Sequence, residues 1–183
     1  MSLFLETERL MLRPFTMDDL DDVAAMNADA RVMEFFPATL NRDESAAFLQ
    51  RIMAHEARHG FSLLALHLKE SDVFCGFTGL LTADFDVPFL PAVEIGWRLA
   101  HAAWGQGLGP EAARACLAFG FDDLRLEEII SFTTVKNFRS IRVMEKIGMV
   151  RDEANDFEHP NVPPRHALRP HVLYRLRRDI WNA

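Results

Sequence analysis

The run Trp104-Gly105-Gln106-Gly107-Leu108-Gly109-Pro110-Glu111-Ala112-Ala113 places a glycine at every second position and then enters a proline-opened helical pattern. Glycine tolerates positive φ and lets backbone N–H groups approach a ligand with no Cβ in the way. A helix N-terminus adds unpaired N–H groups and the positive end of the peptide dipoles. Together they predict a strand-to-helix turn shaped as a socket for a phosphate or diphosphate. Pro110 suits the first helical position, where its missing N–H costs nothing. A tight turn that binds nothing would use the same residues, so the motif alone leaves both readings open. No Lys-Ser/Thr follows, which excludes a Walker loop, and its mid-chain position excludes a dinucleotide fingerprint at the head of a domain.

The flanking pattern predicts the elements around this turn. Residues 9–13 read as a strand ended by Pro14, and Thr16 caps a helix with Asp18 and Asp19 in its first turn and Leu20, Val23, Ala24 and Met26 as its apolar stripe. A second helix over 43–59 turns Ala47, Phe48, Ile52 and Met53 inward and stops at Gly60. Strands follow at 61–68, 73–81 and 92–99. Beyond the glycine turn come a helix over 110–121, a strand over 128–135, a helix over 137–147 ended by Gly148, and strands at 149–152 and 172–177. Residues 153–170 read as a long ordered loop. This order predicts an α+β domain around one mixed sheet, with residues 1–183 as a single domain.

Bulk properties narrow the partners. A net charge of -7 with no long Lys/Arg run argues against nucleic-acid binding. Met1-Ser2-Leu3-Phe4-Leu5 gives way at once to Glu6 and Glu8, unlike a signal peptide, and no apolar run reaches membrane-spanning length. Cys75 and Cys116 sit among apolar neighbours and read as buried free thiols. The spacings of His159, His166 and His171 match no metal-ligand pattern, so no metal is expected. The expectation is a cytoplasmic protein with no nucleic-acid or membrane partner. A homodimer stays open on base rates alone.

Two further segments flank the turn. Val93-Glu94-Ile95-Gly96-Trp97-Arg98-Leu99 lies on the strand before it, and Asn137-Phe138-Arg139-Ser140-Ile141-Arg142-Val143-Met144-Glu145-Lys146-Ile147-Gly148-Met149 lies on the helix after the next strand. The succession resembles the GNAT superfamily of acetyl-CoA-dependent N-acetyltransferases over roughly residues 6 to 177. The opening Glu6-Thr7-Glu8-Arg9-Leu10-Met11-Leu12-Arg13-Pro14 is similar to the branch containing the ribosomal-protein N-terminal acetyltransferases. The resemblance implies a mixed, largely antiparallel central sheet with splayed central strands and flanking helices. It implies acetyl-CoA as co-substrate and an amine acceptor, either a peptide N-terminus or a small molecule.

The family's diphosphate loop, Gln/Arg-x-x-Gly-x-Gly/Ala, falls on Trp104 to Gly109, with Trp104 where Gln or Arg is usual. By this resemblance the backbone amides of Gly105, Gln106, Gly107, Leu108 and Gly109 hold the diphosphate. The pantetheine arm then pairs with Trp97-Arg98-Leu99 as an added strand would. Asn137 contacts that arm or orders the splayed strand. Arg139, Arg142 and Lys146 face the 3′-phosphate or form a solvated helix face. Phe35 and Phe36 line the acceptor pocket or join the core. The segment Asp156-Phe157-Glu158-His159-Pro160 offers acidic groups to a cationic acceptor.

Acyl transfer to an amine needs a neutral nucleophile, and α-amines titrate at about 7.7–8.0 and lysine at about 10.4. A base is therefore needed, directly or through water. Glu94 is the candidate, since glutamate is disfavoured in strands unless something uses it. Alternation puts Glu94, Gly96 and Arg98 on one face, which leaves a solvated or Arg98-paired carboxylate as the other reading. The resemblance puts Ser140 near the thioester sulfur as a proton donor, although Asn137 and Ser140 also fit ordinary helix-start chemistry. Tyr174, on the last strand, is a poor substitute for that donor. The rival function is a non-catalytic acyl-CoA-binding or sensing module, which needs the glycine turn but neither Glu94 nor Ser140.

Overall fold

The computed structural model describes residues 3–181. Its strands are β1 (Leu5–Glu6), β2 (Leu10–Pro14), β3 (Leu63–Leu68), β4 (Phe74–Ala83), β5 (Ala92–Leu99), β6 (Glu128–Thr134), β7 (Val150–Arg151), β8 (Phe157–Glu158) and β9 (Pro170–Arg177). The helices are α1 (Leu20–Ala28), α2 (Arg42–His59), α3 (Leu108–Ala118), α4 (Phe138–Lys146) and α5 (Arg178–Trp181). The strands form one sheet in the order β1-β2-β3-β4-β5-β6-β9-β7, with β8 added to β9. Every pairing is antiparallel except β5 with β6. This is the mixed, largely antiparallel α+β sheet expected from the sequence.

Strand alternation sends side chains to two different cores. Along β3, Leu64 and Leu66 join α3 residues Leu108, Ala112 and Leu117, whereas Leu63 and Ala65 join α1 and α2 residues Val23, Met26, Leu49 and Ile52. Helices therefore cover both faces. Each fully buried leucine contributes about 1.5–3 kcal/mol by leaving water.

Local chemistry sets the helix ends. Thr16 and Asp19 form a capping box before α1, although a short 3-10 turn at Met17–Asp19 precedes the helix proper. Asn41 and Glu44 form another before α2, and Gly60 closes that helix at φ 79°. The helix after the glycine turn starts at Leu108, two residues before Pro110, and passes into a π-turn at Phe119–Asp123. Pro110 is thus the third helical residue. That position is equally free of cost, because none of the first-turn N–H groups has a helical acceptor. Part of the expected 153–170 loop is structured, as a 3-10 turn at Glu153–Asn155 and as β8.

The relation between β5 and β6 positions the site. β4 pairs with β5 along its whole length, from Ala83↔Ala92 to Gly76↔Leu99. β6 meets β5 only at Glu94↔Ile130, while it stays paired with β9 from Glu128↔Arg177 to Thr134↔His171. The Ser131 hydroxyl donates to the Ile95 carbonyl at 2.9 Å, and past that bond the two strands part. Among the described residues no helix is long and apolar enough to cross a membrane.

Candidate active site

The glycine turn is a cradle with open space. Gly105 and Gly107 take φ of 75° and 78°, the left-handed region that costs other residues roughly 1–2 kcal/mol. A Cβ at Gly105 would meet nothing within 4 Å, and one at Gly107 only Arg9 Nη2 at 3.7 Å. The Glu111 N–H donates to the Gly107 carbonyl at 3.3 Å, so the amides of Gly107, Leu108 and Gly109 precede the helical ladder. Gly109 is buried and lies against Leu99. The Gln106 side chain turns away and donates to the Ala102 carbonyl at 2.8 Å, leaving only its backbone for a ligand. This geometry fits a diphosphate held by main-chain N–H groups.

A second layer beneath the turn was not legible in the sequence. Glu111 accepts hydrogen bonds from the Thr7 hydroxyl, the Arg9 backbone N–H (3.0 Å) and Arg9 Nε (2.7 Å). Burial raises the Glu111 pKa, but the donors from Thr7 and Arg9 outweigh it and hold the carboxyl below its ordinary value. Arg9 Nη1 donates to the Gln106 carbonyl at 2.9 Å. The opening segment thus clamps the turn and adds a cation beside it. The acid in the first turn of α3 was the visible half of this pair, but its partner is 102 positions away.

Trp104, the departure from the family pattern, anchors the end of β5. Its indole N–H donates to the Leu99 carbonyl at 2.9 Å, and the Arg139 guanidinium lies 4.4 Å above its ring. Arg139 also pairs with Glu34. Arg139 thereby ties α4 to the α1–α2 connection and to Trp104. Arg142 and Lys146 are exposed and have no ion pair among the described residues.

Where the strands part, backbone direction matters. The Ile95 carbonyl points to β6, and Thr78 Oγ1 donates to the Gly96 carbonyl from β4 at 2.9 Å. By alternation the amide and carbonyl of Trp97 point into the opening. Trp97 and Leu99 pack their side chains toward the α3 core.

Glu94 lies on the opposite face, with Oε1 3.9 Å from where a Gly96 Cβ would stand. It has no hydrogen-bond or ion-pair partner among the described residues. Burial, with no compensating charge, pushes its carboxyl up to about 8. The reading of an Arg98-paired carboxylate is therefore not what forms. Arg98 instead donates from Nη1 to Asn27 Oδ1 at 2.6 Å and sits among Phe36, Phe48 and Phe77.

Across the opening, Asn137 caps α4. Its Oδ1 accepts from the Ser140 N–H at 3.2 Å and its Nδ2 donates to Thr133 Oγ1 at 3.0 Å. That ties the helix to the end of β6, the strand-ordering half of the expectation. The Ser140 hydroxyl is half-buried and has no hydrogen bond among the described residues. Tyr174 is buried in the α3-side core, with its hydroxyl 3.4 Å from Glu145 Oε1. Phe36 is 38% exposed over Arg98, and Phe35 lies by Arg139. On the other side of the opening, Phe132 of β6 meets Phe85, Phe157 and His159, and the His159 and His171 rings lie 4.9 Å apart. Burial and the neighbouring His171 push His159 down to about 4, so the ring is neutral.

The half-buried Glu94 where β5 and β6 part, beside a glycine turn with open space at the start of α3, frames the candidate site. Residues 9–150 match the family described as acetyltransferase (GNAT) domain, and the chain belongs to that family. It is 30% identical over 148 residues to the uncharacterized protein YkkB of Bacillus subtilis, covering 79% of this chain and 84% of that protein. It is 28% identical over 179 residues to the uncharacterized N-acetyltransferase YnaD of the same organism, covering 97% and 99%. An acetyltransferase (GNAT family) structure from Bacillus anthracis superposes with a TM-score of 0.79 at 25% identity, covering 97% of this chain and 99% of that one.

Proposed function

We propose that this chain moves an acetyl group from acetyl-CoA to a primary amine, by direct attack within a ternary complex. The observation that carries the reading is the position of Glu94: an unpaired, half-buried carboxyl where β5 and β6 separate, on the strand that leads to the Gly105–Gly109 turn. The backbone of Gly105 to Gly109 receives the diphosphate, with Arg9 as the nearby cation. The Trp97 amide and carbonyl pair with the pantetheine arm, and Arg142, an exposed cation of α4 with no ion pair among the described residues, takes the 3′-phosphate.

Bound acetyl-CoA would supply an activated acetyl thioester. Glu94 accepts the proton that the acceptor ammonium must lose, directly or through water. A carboxyl pushed up to about 8 is close to the α-amine range of about 7.7–8.0, so this transfer is nearly balanced. As the C–N bond forms and the C–S bond breaks, Ser140 donates its hydroxyl proton to the departing sulfur and regains one from water, while Glu94 releases the amine's proton to water. Holding amine and thioester together in the slot supplies the larger part of the rate. The acceptor is a peptide N-terminus or a small amine, and the Glu6–Pro14 segment supports the N-terminal branch.

The test is thiol release from acetyl-CoA across a panel of amines, with Glu94→Gln alongside. Amine-dependent release that collapses in the variant supports the reading. Acetyl-CoA binding with no release on any amine would favour the sensing module.

A further inference from the structure

Arg98 is a half-buried cation surrounded by aromatic rings and one amide, with no carboxylate to pair it. No carboxylate among the described residues pairs with it, and its only hydrogen bond there is from Nη1 to the neutral amide of Asn27. Its Nε is fully buried with no partner. Asn27 is itself fully buried and is held by its Nδ2 donating to Ser45 Oγ at 3.1 Å, so this contact is built and not incidental. Desolvation alone pulls the guanidinium down to about 10. Leaving a desolvated charge without a counter-ion is costly. Nη1 is occupied and Nε is enclosed by protein, so Nη2 is the donor left for an oxygen of a carboxylate.

The location adds the second half. Arg98 shares a face of β5 with Glu94, with Gly96 between them, and a Cβ at Gly96 would meet only Glu94 Oε1. No other side chain stands within 4 Å of that point. Phe36, on the α1–α2 connection and 38% exposed, roofs the guanidinium at 4.2 Å.

We propose that the acceptor is a small amine bearing a carboxylate, with its amine at Glu94, its chain over Gly96 and its carboxylate on Nη2 of Arg98. Four strand residues span roughly 13 Å between Cα atoms. With both side chains taking up part of that length, the amine and carboxylate must be separated by several bonds. The α-amine and α-carboxylate of one amino acid lie too close together. Lysine's ε-amine and α-carboxylate, or the two ends of a dipeptide, have the reach. The inference rests on Glu94 as the base and narrows the acceptor that it serves.

The experiment compares matched pairs, lysine against lysinamide and Ala-Gly against its C-terminal amide, in thiol release and in calorimetric titration of the protein–CoA complex. The wild type should favour each acid at least tenfold in kcat/KM, and Arg98→Gln should remove the preference. Should Arg98→Gln fail to fold, Asn27→Asp serves as the second variant. It sets a carboxylate 2.6 Å from Nη1 in nearly the same volume, and should also cut the acid-to-amide ratio tenfold or more. Equal turnover of acid and amide, or a preference that survives both variants, would overturn the proposal. If nothing is acetylated, the calorimetry still decides. Acid-only binding lost in the variants keeps the Arg98 subsite while the transferase reading fails, and acid and amide alike, or neither, binding ends both.

Discussion

Glu94 of β5 and Ile130 of β6 are the one register pair that joins the two halves of the sheet among the described residues. Everything attributed to the site follows from the strands separating there. The separation leaves the Trp97 backbone unpaired toward β6, and it leaves the Glu94 carboxyl with protein around it and no cation to answer it.

Glu94→Gln should lower turnover about 10²- to 10⁴-fold, the range for losing a general base, while acetyl-CoA affinity changes no more than a few-fold. Steady-state kinetics with separate titration of acetyl-CoA checks both halves. In the wild type the rate should rise with pH through about 8, because only the ionised carboxylate accepts a proton, and the variant should lack that limb.

The same group makes stability depend on pH with a definite sign. Glu94 is raised from 4.5 to about 8 by burial, so between those values the folded state holds a proton that the unfolded state has released. Its contribution is fully present below pH 4.5 and is lost as pH rises through about 8. Urea unfolding should show Glu94→Gln gaining on the wild type across that window, by on the order of a few kcal/mol at its upper end. A stability difference that does not vary with pH would contradict the buried-carboxyl assignment.

Gly107→Ala places a Cβ in the cradle and forces a φ of 78° on alanine, whereas Gly60→Ala forces almost the same φ, 79°, at the end of α2. Each should lose about 1–2 kcal/mol of stability. Only Gly107→Ala should weaken CoA binding, by tenfold or more, as read by titration calorimetry.

Arg9→Met should raise KM for acetyl-CoA three- to tenfold, about 1 kcal/mol, with little change in kcat. The loss should shrink as salt is added, since exposed cations are screened. Kinetics at two ionic strengths checks this.

Asn137→Ala removes the acceptor of the Ser140 N–H and the bond to Thr133 Oγ1. A lost N-cap costs about 1 kcal/mol, equivalent to roughly 2–4 °C in Tm for a domain of this size. Calorimetric melting is the measurement.

How far the sequence carried depends on how local each cause is. β5 begins and ends where its alternation predicts, and Gly60 and Gly148 stop α2 and α4 because a left-handed terminator is a one-residue signal. The start of α3 was misplaced by two residues, because a proline is equally comfortable anywhere in a first turn. β1 and β8, at two residues each, are too short to show a period. Glu94 and its face were readable from alternation alone. The clamp of Thr7 and Arg9 on Glu111 and the enclosure of Arg98 by Asn27, Phe36, Phe48 and Phe77 were not, because each joins residues that only the finished sheet brings together.

The most direct measurement is isothermal titration of the protein with acetyl-CoA, with CoA and ATP as comparisons. Micromolar binding of acetyl-CoA and CoA, with none of ATP, is the result expected of a cradle at Gly105–Gly109 continued by a pantetheine slot along Trp97. No binding of either CoA species would contradict the cradle and the acetyl transfer built upon it.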